Sequence, residues 1–169
     1  MTAKGHFLLA LAPALLIAGK FHSLDESYIF LGSAAVGSVL PDIDEPNSYI
    51  GKRLAFLSFP LKIIGIPHRT ITHYLIFPLL IALTAFFTSG IVKISLFGLA
   101  FGILMHDVGD MLTKGGIKGF FFPFLRDKTI RLLPKDYAFY TNSVTEFMLI
   151  AVLFAADFYL FYKVLWWSL

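Results

Sequence analysis

The sequence predicts an all-α, polytopic membrane protein with about five helical spans and a metal site gathered at one membrane face. Three observations carry that prediction. The 169 residues are 57% hydrophobic and only 15% charged, whereas soluble domains carry about 25% charged residues. The apolar residues fall in long runs separated by polar turns, with a mean hydropathy of +0.77. The histidines and most of the carboxylates sit at the ends of those runs and not in their middles.

The length suits one membrane-embedded domain, 1–169. There are no cysteines, which excludes disulfides, thiolate zinc sites and cysteine nucleophiles. The net charge is only +3, and no basic run is interleaved with aromatics as on a nucleic-acid surface, so no nucleic-acid partner is expected.

The first apolar run, 7–19, follows Lys4 as a signal peptide would, but is read as a short first span over 6–20 with His6 at its start. A polar turn with His22, Asp25 and Glu26 leads to a second span, 28–40, whose small residues let it pack closely on its neighbours. Pro41 disfavours helix at Leu40 and sets Asp42 and Asp44 on a turn or a new helix start. The stretch 54–67 is broken by Pro60 and Lys62 and too short to span, so a re-entrant or interfacial segment is expected. It delivers His68, Arg69 and His73 to the head of a span over 73–92. The next span, 94–112, carries Gly98 and Gly102 as a small-residue pair and ends on His106 and Asp110. The polar stretch 114–145 is expected to hold a hairpin on the membrane surface, turning at 126–129. Its Phe120, Phe121, Phe122 and Phe124 are expected to dip among acyl chains. The last span, 146–167, opens on Glu146, contains Asp157 and ends in Tyr162, Trp166 and Trp167.

His106 and Asp110 are four residues apart, so on a helix they project the same way and can share a divalent cation. The topology supplies further candidates. Counting from the side that holds Met1, span one starts there, span two ends there, span three starts there and span four ends there. His6, Asp42, Asp44, His68, His73, His106, Asp110 and Glu146 then share one membrane face. Of the fourteen basic residues, all but Lys20, Lys93 and Lys163 lie on that side, and the positive-inside rule makes it cytoplasmic.

The motifs together resemble the YdjM-type family of small bacterial inner-membrane proteins, described as metal-dependent hydrolases. The resemblance rests on His6, the Leu-Pro-Asp-x-Asp of 40–44, the His-Arg-x-x-Thr-His of 68–73, and His106 to Asp110 followed by Gly115 and Gly116. It implies a multi-pass bacterial inner-membrane protein that hydrolyses a bond with the help of a metal. The His-Asp-Val-Gly-Asp helix motif is also similar to that of zinc phospholipases C and related nucleases. The additional histidine expected after that motif is absent here, where 114–120 stand.

Histidine and carboxylate ligands without thiolate suit Zn²⁺, with Mn²⁺ or Fe²⁺ as alternatives. Asp44, His73, His106 and Asp110 are expected as inner ligands. His6, Asp42 and His68 are expected as further ligands or as partners that fix the imidazoles. Arg69 is expected to grip a phosphate oxygen and Glu146 to act as ligand or general base. Asp107 lies on another helix face and reads as structural. The expected substrate is a phosphoester of a lipid or lipid-linked headgroup, drawn in by the basic loop 114–135. A metal or proton transporter would instead spread charges through the depth of the bilayer, and a metal-stabilised scaffold would close the coordination sphere.

Overall fold

The computed structural model describes residues 1–166 and is mostly helical. In chain order the helices are α1 (Ala3–Ala18), α2 (Leu24–Gly37), α3 (Tyr49–Arg53), α4 (Ala55–Ile63), α5 (Ile76–Phe86), α6 (Gly90–Met111) and α7 (Val144–Trp166). Two 3-10 turns, Leu40–Asp44 and Ile71–His73, carry the polar motifs between them. Local chemistry sets several boundaries. Thr2 caps α1 by accepting from the Gly5 amide, Ser23 caps α2 through the Glu26 amide, and Ser48 caps α3 through the Gly51 amide. Asp25 and Glu26 also complement the N-terminal dipole of α2.

Where five spans are expected, the described residues hold two helices of spanning length, Gly90–Met111 and Val144–Val164. The apolar helices α1 and α5 are shorter, at 16 and 11 residues. At 1.5 Å per residue these reach roughly 24 and 16 Å, short of a hydrocarbon core about 30 Å thick. The expected span 73–92 loses both ends. Its start is taken by a 3-10 turn, and its end by a break before Gly90, whose φ of +56° starts α6 afresh. The stretch 54–67 yields only the nine-residue α4, with Pro60 inside it. Of the expected aromatic belt, Tyr162 is exposed; Trp167 and the side chain of Trp166 lie outside what is described.

α2 and α6 make the most extensive helix contact in the molecule. Glycines permit it: a Cβ on Gly102 would run into the Ala34 carbonyl, and one on Gly37 into the Leu99 carbonyl. A Cβ on Gly98 would lie 2.6 Å from the Phe30 carbonyl oxygen. Backbones this close gain dispersion along their whole seam, as the small-residue spacing predicts. α1 packs on α2, α6 and α7, and α5 packs on α6. A core of Ala14, Ala18, Phe30 and Ala34 forms between them.

The stretch 112–143 folds back over one end of the bundle. Ile117–Lys118 pairs antiparallel with Thr129–Ile130, so the hairpin exists but its turn is 119–128, longer than expected. Thr129 belongs to the second strand. Phe120 is not at the surface either. It is buried with Met111 and Ile117, and its carbonyl accepts from the Leu75 amide at 3.0 Å. Phe122 stacks on Tyr74, while Phe124 stands free of the fold at 88% exposure.

Candidate metal centre

The start of α1, the Leu40–Asp44 turn after α2, the Ile71–His73 turn before α5, the end of α6 and the start of α7 all meet at one end of the bundle. That is the alternation of helix starts and ends read from the sequence, now expressed as contacts. One ligand atom from each of Asp42, His73, His106 and Asp110 lies within 4.8 Å of all the others, and all four residues are buried.

Each imidazole is held by its other nitrogen. His106 Nδ1 is 2.7 Å from the Ser38 carbonyl oxygen. A carbonyl only accepts, so Nδ1 carries a proton and donates it. The close α2–α6 seam is what brings that carbonyl within reach. Thr72 Oγ1 donates its single hydrogen to Asp44 Oδ2 at 2.7 Å. It must therefore accept at its 2.9 Å contact with His73 Nδ1. Both Nε2 atoms then point at each other, 3.2 Å apart. For neutral rings these are two bare lone pairs facing across a buried gap, which repel unless something positive lies between them.

The carboxylates close round the same gap. Asp110 Oδ1 accepts from the Met1 amino group and from Arg69 Nη2 at 2.7 Å, and His6 Nε2 stands 3.3 Å from it. Asp110 Oδ2 is buried with no hydrogen-bond partner, 3.5 Å from His73 Nε2 and 3.8 Å from His106 Nε2. Asp42 Oδ1 is 3.5 Å from His106 Nε2. Bonds of about 2.0–2.2 Å to a tetrahedral ion would place ligand atoms roughly 3.3–3.6 Å apart. The donor set, its spacing and the orphaned Asp110 oxygen all fit a divalent cation.

A second group, Asp42, Asp44 and His68, lies alongside. Asp44 Oδ1 is 2.7 Å from His68 Nδ1, and Asp44 Oδ2 accepts from Thr72 and from the Arg69 amide. Burial works against the Asp44 carboxylate, but the His68 hydrogen bond and the nearby imidazoles hold it below the ordinary range. Burial also pulls His68 down, and its pairing with Asp44 outweighs this and raises it. For Asp42, burial is outweighed by the neighbouring His106 and His6 imidazoles, leaving the carboxyl at about 2. Burial lowers His73, which favours its bare form.

Several roles differ from the sequence expectation. Asp42, expected as an outer residue, belongs to the four-residue group, and Asp44, expected inside, serves His68 and Thr72. Along a five-residue 3-10 turn, residues two apart point in different directions, so Asp42 reaches both groups and Asp44 only the second. His6 stacks on the His106 ring at a centroid distance of 3.7 Å. Its Nε2 is within ion-pair range of Asp110, but neither ring nitrogen makes a hydrogen bond. Gly109 leaves room for the stack, since a Cβ there would lie 2.8 Å from His6 Nδ1. Glu146 is buried and accepts from the backbone amides of Thr2 and Asn142, both at 2.6 Å. It ties α1 to α7, and the geometry lends its expected part as ligand or base no support. Asp107 is buried outside the group, with neither oxygen hydrogen-bonded among the described residues.

Arg69 is tied to the centre more closely than expected. Its backbone sits at φ +62°, a region that non-glycine residues avoid unless the surroundings hold them there. Its guanidinium binds Thr113 Oγ1 at 3.0 Å as well as Asp110, and Gly115 leaves the space that guanidinium fills. Ser38 and Thr113 were not singled out from the sequence, and Thr72 entered only as the threonine of the His-Arg-x-x-Thr-His motif. The Ser38 contact is a backbone carbonyl and has no sequence signal, while Thr72 could have been suspected from its place beside His73.

Above the centre lies an open polar pocket of about 720 Å³, lined in part by Asp42, His68, Arg69, Lys114, Tyr140 and Asn142. Lys114 Nζ lies 4.3 Å from the centre of the Tyr140 ring.

Against known sequences, a family profile described as "YdjM inner membrane protein" matches residues 1–168. The chain belongs to the YdjM family. It is 34% identical over 126 residues to Inner membrane protein YdjM of Escherichia coli (strain K12), covering 69% of this chain and 63% of that one. The chain thus spans less than two thirds of the length of that YdjM relative. It is also 34% identical over 164 residues to the Bacillus subtilis (strain 168) protein named "Uncharacterized protein YvsG", covering 96% and 95% of the two chains. No solved structure matches this YdjM family member.

Proposed function

We propose that this protein is a multi-pass inner-membrane hydrolase that uses a divalent cation to cleave a phosphoester of a lipid or lipid-linked headgroup. The observation that carries the metal reading is the pair of Nε2 atoms 3.2 Å apart, each fixed through its Nδ1, beside the unpartnered Asp110 oxygen. Asp42, His73, His106 and Asp110 would hold the ion, with Zn²⁺ favoured and Mn²⁺ or Fe²⁺ also suited to this donor set. Held there, such an ion would supply Lewis acidity and lower the pKa of a bound water towards neutrality.

The chain's own groups supply the rest. Arg69 and Thr113 orient Asp110, and Ser38 and Thr72 fix the tautomers of the two imidazoles. Arg69 and Lys114 put positive charge on the wall of the pocket, where a phosphate would sit. Hydrolysis adds water across one P–O bond: its oxygen goes to phosphorus and its proton leaves with the alcohol. The open pocket beside Asp42 favours this over a scaffold with a closed coordination sphere. The clustering of the acids and histidines at one end disfavours a transport path, since Asp157 is the buried carboxylate far along α7.

The basic residues expected at this end support a cytoplasmic orientation for it. A cysteine at Asn47 should then resist a membrane-impermeant label in intact cells, and one at His22 should react. Reaction at position 47 would reverse the orientation.

The activity is tested on protein purified in detergent and loaded with Zn²⁺ or Mn²⁺. Bound metal is measured by mass spectrometry and headgroup release from phosphatidylglycerol and phosphatidic acid by phosphate and alcohol assays. One bound ion with metal-dependent release is expected. A fully metallated protein that cleaves carboxylic ester or amide lipids but no phosphoester overturns the reading.

A further inference from the structure

Beside the polar pocket runs an apolar groove of about 970 Å³, between the first turns of α1, the last turns of α2 and the start of α7. Phe7, Leu8, Val36, Ile150 and Phe154 form its walls, and Lys4 is the charged residue on it. Along α7 it runs from Phe147 to Phe154, about 10 Å at 1.5 Å per residue. The polar pocket and the groove adjoin each other: Ala3 and Tyr49 line both. The Arg53 guanidinium lies 3.7 Å from the centre of the Tyr49 ring, and Tyr49 marks the border between a charged chamber and an apolar one.

We infer that the groove receives one acyl chain of an anionic phospholipid whose phosphate lies in the adjoining polar pocket. The inference rests on the reading of that pocket as a phosphoester site and names the class of its substrate. A phosphate and a fatty chain joined through a short linker are what a polar chamber and an apolar channel sharing two residues can hold at once. Lys4, at the polar end of the groove, adds a cation on the phosphate's side. A free sugar or nucleotide phosphate would leave Phe7, Val36, Phe147 and Phe154 facing nothing it could cover. A partner helix would cover them but would put nothing into the polar pocket.

The test uses the full-length protein in phosphatidylcholine nanodiscs with trace phosphatidylglycerol bearing a diazirine in one acyl chain. After photolysis, peptide mapping is expected to concentrate the label on Phe7, Val36 and 147–154, well above Leu79, Leu83 and Phe86 on the exposed face of α5. Excess unlabelled phosphatidylglycerol should compete it away, and water-soluble glycerophosphoglycerol should not. Ala151→Trp and, on the facing wall, Val36→Trp fill the groove at exposed positions, so folding is retained. Each should cut the competed labelling by about tenfold, the equivalent of losing two buried methylene contacts. Each should also raise the KM for long-chain phosphatidylglycerol and leave that for its dihexanoyl form unchanged. Labelling spread evenly over all lipid-facing helices and indifferent to both tryptophans would reduce the groove to bulk lipid contact and overturn the inference. Cross-links between two copies of the chain through the groove would overturn it as well. If the labelling is as expected but neither chain length is cleaved, the phosphoesterase reading falls and the acyl-chain site stands.

Discussion

Two histidine–carboxylate groups lie side by side at one end of the bundle, and they differ in what satisfies them. His68 and Asp44 complete each other: donor meets acceptor at 2.7 Å, and Thr72 and the Arg69 amide take the remaining oxygen. His73, His106, Asp42 and Asp110 are built from the same residue types but converge with acceptors facing acceptors. Their outer atoms are tied to Ser38, Thr72 and Arg69, and their inner atoms have only each other. The contrast teaches that residue type does not mark a metal centre. What marks it is the direction in which the neighbouring hydrogen bonds leave the lone pairs pointing.

The largest way to break the contrast is to remove an inner atom. His106→Ala and Asp110→Ala should each reduce metal affinity by at least the 10–100-fold that loss of an orienting partner commonly costs. Circular dichroism should retain the helices. Unchanged metal content in both would remove the centre.

Thr72→Val acts on the hinge between the two groups, freeing the His73 tautomer and taking a donor from Asp44. A 10–100-fold loss of metal affinity by isothermal titration is expected, although no ligand is touched. Full affinity would show that the tautomer is set by something else.

Gly102→Ala works from further away. Its methyl meets the Ala34 carbonyl, so α2 and α6 must separate and carry the Ser38 carbonyl off His106. Overpacking of this kind costs about 1–3 kcal/mol, and a lower Tm together with weaker metal binding is the expected result. A lower Tm with unaltered binding would uncouple the seam from the site.

His68→Ala should do least to the metal, leaving its content unchanged, and its effect should appear in the pH dependence of stability. Without a cation, lowered His73 stays bare in the fold while the unfolded chain takes a proton near the ordinary 6.5, so stability declines as the pH drops below that value. His68, raised by Asp44, opposes this; its contribution is complete below 6.5 and disappears as the pH rises through its folded value. Asp42 and Asp44, held low, contribute above about 3.8 and lose that contribution as the pH falls through their folded values. A Tm series on metal-free protein should therefore show the parent gaining stability over His68→Ala as the pH falls from above the folded value of His68 to about 6.5, with the gap constant below that. Curves parallel through the whole range would contradict the pairing.

The helices and the gathering of motifs at one end were legible in the sequence, because apolar runs alternated with polar motifs that fell by turns at helix starts and helix ends. Helix lengths were less so. Hydropathy runs through 73–92 without a break, yet a 3-10 turn takes its start and Gly90 takes its end. The division of labour between Asp42 and Asp44 was hidden, since it depends on the twist of one 3-10 turn after Pro41. So was the bond from the Ser38 carbonyl, because every residue carries a carbonyl and only packing decides which one meets His106. Arg69 was visible as a cation beside the site, but its left-handed backbone and its grip on Asp110 were not, as both need Gly115 and Thr113 in place.

The central claim is that one cation lies between His73 and His106. X-ray absorption at the zinc edge of the Zn²⁺-loaded protein measures this directly. The account predicts four light ligands at about 2.0–2.2 Å with the multiple-scattering signature of two imidazoles. A shell of oxygens without imidazole scattering, in protein that retains its zinc, would contradict it.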